Sequence, residues 1–246
     1  MTATRPIPIE RILQSQGFGS RKACAALLAA GRVTVNGAPC ARAGTPVSTD
    51  GLVLGVDGQD WPWHERLYLA LNKPSGVECS HSPQHHQSVF SLLPPHFVAR
   101  GVQAAGRLDS DTTGLLLLSD DGPWLHALAS PRRHVSKTYR VTVKHALDAT
   151  QLVRLLDGVV LHDDPEPVRA LACTQQDEHV LDLVIDQGKY HQVKRMLAAV
   201  GNRVEALHRL GMGGLRLGEG ELATLPEGEW VMLSAEARAH LLPTWR

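Results

Sequence analysis

The run Gly106-Arg107-Leu108-Asp109-Ser110-Asp111-Thr112-Thr113-Gly114 is followed at once by four leucines, Leu115 to Leu118, and then by Asp120-Asp121-Gly122. Asp109 is the residue of this run most suited to chemistry, because a carboxylate can serve as a nucleophile or as a base. A short continuous apolar run bounded by turn residues reads as a strand covered on both faces. Asp109 therefore sits on a loop feeding a core strand, where a rigid scaffold can aim its carboxylate into a cleft. An aspartate in such a place also commonly caps a turn.

Three further residues could join it. Tyr139 lies in Lys137-Thr138-Tyr139, Lys194 in Tyr190-His191-Gln192-Val193-Lys194-Arg195, and Leu207 in Val204-Glu205-Ala206-Leu207-His208-Arg209. Each has a plainer reading alone: Tyr139 and Leu207 as core, Lys194 and Arg195 as the solvated face of a helix. A cation a few Å from a carboxylate favours its charged form. The cysteines (Cys24, Cys40, Cys79 and Cys173) are scattered without metal-ligand spacing, so neither zinc nor a disulfide framework is expected. His81, His85 and His86 share a loop but lack a convincing carboxylate or cysteine partner, and no metal site is assigned to them.

The elements that must position these residues are legible in outline. Ile12, Leu13 and Gln16 follow helical spacing until Gly17-Phe18-Gly19; Ser20 caps a second helix, Arg21 to Ala30, which Gly31 stops. Arg32 to Val35 alternates as a strand, with Asn36-Gly37 as its hairpin turn. Residues 48–66, rich in Asp, Gly, Trp and Pro, read as a linker. A strand from Leu67 to Leu71 then ends at Asn72-Lys73-Pro74-Ser75-Gly76. After the leucine strand come a short helix (123–129), a strand (137–143) and a helix (149–156). A strand pair (168–173 with 179–185) and a helix from His191 to Val200 follow. This mixture of hairpins and helices implies an α+β fold.

Net charge is zero across 246 residues, but it is unevenly spread. Residues 1–49 carry six Arg and Lys residues against Glu10 alone, a formal charge of +5 that the remainder balances. A basic module joined to a mildly acidic body points to a polyanion docking at one end. No apolar run approaches the ~20 residues needed to span a bilayer. Met1 to Pro8 lacks the order of a signal peptide, so a cytoplasmic protein is expected.

Taken together, Gly-Arg-Leu-Asp with its following acid-Thr-x-Gly and leucine strand resembles the active-site motif of the RNA pseudouridine synthases. Residues 8–50 resemble the alpha-L RNA-binding domain first named for a small-subunit ribosomal protein. The resemblance implies an alpha-L domain (8–50), a linker (51–66), a catalytic domain (67–235) with a mixed, largely antiparallel sheet flanked by helices, and a tail (236–246). It implies Asp109 as the catalytic residue, Lys194 as its basic partner, Tyr139 stacking on the target base and Leu207 walling the same pocket. No cofactor is implied. Arg107 would contact phosphate or fill the gap left by a flipped base. Arg11, Arg21, Lys22 and Arg32 in the small domain, with Lys189, Arg195, Arg203 and Arg209 in the large one, would contact RNA.

The Asp-Thr-Thr-Gly and Lys-Tyr-His-Gln-Val-Lys-Arg stretches are most similar to the RsuA-type branch, which acts on 16S rRNA. The implied partner is 16S rRNA or a small-subunit assembly intermediate, met by a monomer away from any membrane. A 23S rRNA target within the same family, and an RNA-binding assembly factor without activity, are the alternatives. Leu210-Gly211 departs from the charged pair usual in the family.

Overall fold

The structure, a computed structural model, describes residues 6–162 and 164–241 and divides into two compact units. The smaller comprises residues up to Leu67 together with Leu93–Val102; the larger comprises Tyr68–Leu92 and the chain from Gln103 onward. The expected extremes of the chain, residues 1–5 and 242–246, lie outside the described residues.

In the small unit, helices α1 (Ile9–Ser15) and α2 (Arg21–Ala29) pack against a four-stranded sheet of β1 (Val33–Val35), β2 (Ala38–Pro39), β3 (Val53–Val56) and β4 (Gln59–Pro62), in the order β2-β1-β3-β4. The Ser20 hydroxyl caps α2 by accepting from the Ala23 amide at 3.3 Å. Asn36 and Gly37 both take positive φ (49° and 79°), the requirement of a tight two-residue hairpin. The core gathers Ile9, Ile12, Leu13, Cys24, Leu28, Val33 and Leu54, all nearly inaccessible.

One expectation fails here. Residues 51–66 are not a linker: β3 and β4 form a hairpin about Asp57-Gly58, again with positive φ (55° and 78°), and β3 pairs with β1. The short helix α3 (Pro95–Ala99) also belongs to this unit, where the His96 ring stacks on Phe18 at 4.5 Å and meets the edge of Trp61 at 4.3 Å.

The large unit is built on β5 (Tyr68–Lys73), β6 (Thr113–Ser119), β7 (Lys137–Val143), β8 (Ala172–Asp177), β9 (Val180–Ile185), β10 (Val204–Met212) and β11 (Trp230–Met232). The sheet runs β8-β9-β7-β10-β6-β5-β11. Gln103–Ala104 is added on β6 and Leu215–Arg216 on β10, giving nine strands among the described residues. Only β6 and β10 pair in parallel along this path; the other neighbours are antiparallel. Leu115 to Leu118 are completely buried, as a strand covered on both faces requires. Helix α4 (Gly122–Ala129), capped by the Asp121 carboxylate on the Trp124 amide, covers one face of the sheet with Trp124, Leu125 and Leu128. Helices α5 (Ala149–Asp157) and α6 (Gln192–Ala199) complete the α+β arrangement.

Two boundaries shift. The strand expected at 168–173 lies at Ala172–Asp177; Val168 instead ends a separate hairpin, Asp164–Val168 with Val159–Leu161. Pro165 and Pro167 mask that hairpin's strand character, and the exposed polar side chains of Thr174, Gln175 and Gln176 carry no apolar alternation. The start of the expected tail is helix α7 (Ala235–Leu241), which buries Ala237 and Leu241 in the core of this unit.

Candidate active site

The parallel pairing of β6 with β10, and the antiparallel pairing of β10 with β7, fix where the functional side chains meet. Thr113 and Gly114 lie beside His208 and Arg209, while Val141 lies beside Leu207. The loop entering β6 therefore opens next to the side chains of β7 and β10. Gly114 is required for this closeness. Its φ is +99°, and a Cβ there would lie 2.3 Å from the Arg209 carbonyl oxygen. Gly211 is similarly confined, since a Cβ would meet the Leu215 carbonyl oxygen at 2.6 Å.

Asp109 occupies the entering loop between the His191 imidazole and the Lys194 ammonium. One carboxylate oxygen lies 3.1 Å from His191 Nε2 and the other 3.1 Å from Lys194 Nζ. Lys194 also contacts both oxygens of Asp111, at 2.8 and 2.9 Å. Burial opposes the charge on Lys194, but hydrogen bonds to Asp111 and Asp109 outweigh it and raise its pKa above the ordinary lysine value. The same hydrogen bond from Lys194 holds the Asp111 carboxyl below its usual range. Lys194 thus stays a cation throughout the neutral range and serves two carboxylates at once.

The loop itself is gripped from below. Lys73 is completely buried, and its ammonium donates to the carbonyls of Pro74 (3.0 Å), Ser110 (3.2 Å) and Thr112 (2.8 Å). The Gly76 amide donates to the Ser110 carbonyl at 2.8 Å, and the Thr112 amide to that of Asp109 at 3.1 Å. Burial lowers the Lys73 pKa from its ordinary value. A buried ammonium supplied with three carbonyl acceptors is a rigid clamp rather than a solvated charge.

Tyr139, Ile185, Val193 and Leu207 wall a small cavity of about 80 Å³ that also receives Asp109 and Lys194. Tyr139 and Leu207 are buried. An ionic pair at the mouth of an apolar slot suits chemistry on a planar, largely uncharged group inserted edge-on beside the carboxylate.

The structure brings together Asp109, Tyr139, Lys194 and Leu207, with Arg107 and Lys189 on the rim. Lys189 is ion-paired with Asp164, and the Arg195 guanidinium donates to the Tyr190 carbonyl at 3.0 Å. Arg203 pairs with Glu205 at 2.7 Å and lies outside the cavity. Arg209 is a correction: only 2% exposed, it points into the unit and donates to the Leu115 carbonyl at 2.6 Å, so it is no surface contact for a polyanion. In the small unit Arg11, Arg21, Lys22 and Arg32 are all exposed, Arg32 paired with Asp57 at 2.5 Å.

Sequence reasoning missed two functional residues. Lys73 was visible as part of the Asn-Lys-Pro-Ser-Gly turn, yet the strand continues through it and turns its side chain inward. His191 takes a left-handed conformation (φ 47°) at the start of α6, and no sequence signal aims its ring at Asp109.

Comparison with known proteins identifies the family. The family model described as RNA pseudouridylate synthase matches residues 67–199, and the S4 domain model matches residues 7–53. The chain belongs to the RNA pseudouridine synthases. Its relatives in this family include the ribosomal small subunit pseudouridine synthase A of Pasteurella multocida, 39% identical over 83% of this chain and 86% of that protein. The counterpart from Escherichia coli is 41% identical over 73% and 75%. An uncharacterized RNA pseudouridine synthase, YtzG, of Bacillus subtilis is 38% identical over 95% and 97%. A crystal structure of a pseudouridylate synthase matches with a TM-score of 0.67 and 31% identity, covering 96% of this chain and all of that one. The mixed sheet and the N-terminal S4 domain are those of this synthase family. Among the described residues no helix is long and apolar enough to cross a membrane.

Proposed function

We propose that this synthase converts one uridine of small-subunit (16S) ribosomal RNA to pseudouridine, with Asp109 as the reacting carboxylate. The observation that carries the reading is Asp109 held between His191 and Lys194 at the mouth of the slot walled by Tyr139 and Leu207. The target nucleotide leaves its stack and enters the slot. The bond between ribose and nitrogen 1 of uracil breaks, the base turns, and ribose is rejoined to carbon 5. The proton leaves carbon 5 and nitrogen 1 gains one, so no oxidant or phosphate donor is consumed. Tyr139 stacks on the base and assists removal of the carbon-5 proton. Leu207 keeps the base from drifting out of plane.

The exposed cations Arg11, Arg21, Lys22 and Arg32 of the S4 domain supply phosphate contacts, which give affinity without sequence choice. Arg107, Lys189, Arg195 and Arg203 add contacts on the catalytic unit. The small-subunit target is supported by the names of the relatives from Pasteurella multocida and Escherichia coli. On this reading the protein acts as a monomer in the cytoplasm.

The test is tritium release from small- and large-subunit ribosomal RNA transcripts labelled at carbon 5 of uridine, with and without small-subunit proteins. Release from the small-subunit RNA alone is expected. Release from the large-subunit RNA alone would move the target, and silence with RNA still bound would leave an RNA-binding assembly factor.

A further inference from the structure

A second, larger cavity of about 610 Å³ is lined by the Asp109 loop. Its size falls within the roughly 300–1,000 Å³ of ligand sites. It shares the Arg107–Asp109 segment, Gly188, Lys189 and His191 with the slot, so the two spaces adjoin. Its far side is the 78–86 loop, which is held in shape by the Glu78 carboxylate. That group accepts from the amides of Gln84 (3.0 Å), His85 (2.9 Å) and His86 (3.0 Å).

Tyr190 lines this cavity and is 70% exposed, the most exposed of the large apolar side chains among the described residues. Its ring is nonetheless fixed. It stacks on the His191 imidazole, with centroids 3.7 Å apart and planes 22° from parallel, and His191 in turn contacts Asp109. The Arg195 guanidinium holds the Tyr190 carbonyl from the following helical turn. One π face of Tyr190 is therefore covered and anchored to the reacting carboxylate. An aromatic ring prepared in this way, beside the cations Arg107 and Lys189, is the combination that binds single-stranded nucleic acid.

We propose that this cavity is a second nucleotide subsite, in which the base adjoining the target uridine stacks on Tyr190. Flipping one nucleotide takes a stacking partner from its neighbours, and single-stranded RNA bases are commonly received by aromatic side chains. Because Tyr190 stacks on His191, which contacts Asp109, the neighbouring base seats against the same group that positions the catalytic carboxylate. The subsite rests on the reading of the slot as the target-uridine pocket.

The test uses Tyr190→Ala and Tyr190→Phe with a hairpin RNA centred on the uridine that the wild type modifies. The bases on either side are replaced in turn by 2-aminopurine, or removed. Wild type and Tyr190→Phe should quench the fluorescence of one flanking 2-aminopurine, and Tyr190→Ala should not. Tyr190→Ala should lower kcat/KM about 10-fold or more, chiefly through KM. Removing the flanking base should cost the wild type a similar factor and cost Tyr190→Ala little more, since both changes delete one contact. Fully additive losses, or equal quenching by Tyr190→Ala, would overturn the subsite while leaving the synthase reading intact. If the wild type modifies no RNA, the probe becomes oligouridylate carrying one 2-aminopurine. Tyr190-dependent quenching would then sustain an RNA-stacking site without the synthase reading, and no quenching would end both.

Discussion

In the catalytic unit, Asp109 lies 3.1 Å from both the His191 imidazole and the Lys194 ammonium and rests on a loop whose carbonyls are gripped by the buried Lys73. In the small unit, Arg11, Arg21 and Lys22 stand exposed on two short helices. The proposed function gives the two units different tasks, and the contrast fits them. Bond rearrangement needs a carboxylate held to a fraction of an Å, and burial and shared hydrogen bonds achieve that. Phosphate contact needs only positive charge within reach, and long solvated side chains provide it.

The sharpest way to break this contrast is to loosen the clamp. Lys73→Met removes an ammonium serving three carbonyls and should destabilise the protein by about 3–5 kcal/mol. Chemical denaturation would show it, and turnover should fall in the protein that remains folded. A loss under ~1 kcal/mol with full turnover would mean that the loop does not depend on Lys73.

The buried His96 of the small unit gives that unit a pH signature of its own. Burial, and then the nearby Arg100 charge, lower the His96 pKa to about 4, from 6.5. A histidine depressed in this way favours the folded state fully above pH 6.5, and that stability is lost as pH falls from 6.5 toward 4. The loss should approach about 3 kcal/mol at the acid end. Following tryptophan fluorescence of Trp61 and Trp63 during acid titration would test it, and His96→Phe should flatten the transition.

The smallest effect is expected on the surface. Replacing both Arg21 and Lys22 by Gln should weaken RNA binding and reduce the slope of log affinity against log salt by roughly 1–2. A change of that slope without loss of turnover at saturating RNA would confirm that these cations dock rather than catalyse. An unchanged slope would place docking elsewhere.

How far the sequence could be read follows the same division. Apolar runs and turn residues announced β6, β7, α2 and the Asn36-Gly37 hairpin, because each is decided by local periodicity and backbone preference. The Asp57-Gly58 hairpin carried the same signal, but the Trp- and Pro-rich flanks hid it. Asp109, Tyr139, Lys194 and Leu207 were legible through motif resemblance, although they converge only because β10 lies between β6 and β7. Lys73 and Arg209 were not legible as buried, since lysine and arginine are rarely enclosed unless tertiary partners appear for them. The inclusion of 93–102 in the small unit depends on the long-range packing of His96 with Phe18 and Trp61, which no local pattern encodes.

The most direct test of the central claim is tritium release from carbon-5-labelled ribosomal RNA by Asp109→Asn, measured beside its RNA affinity. The substitution keeps the size of the side chain and removes its reactive charge. The account predicts a fall in turnover of at least ~10³-fold with RNA affinity changed by no more than about twofold. Turnover near that of the unaltered protein would contradict it.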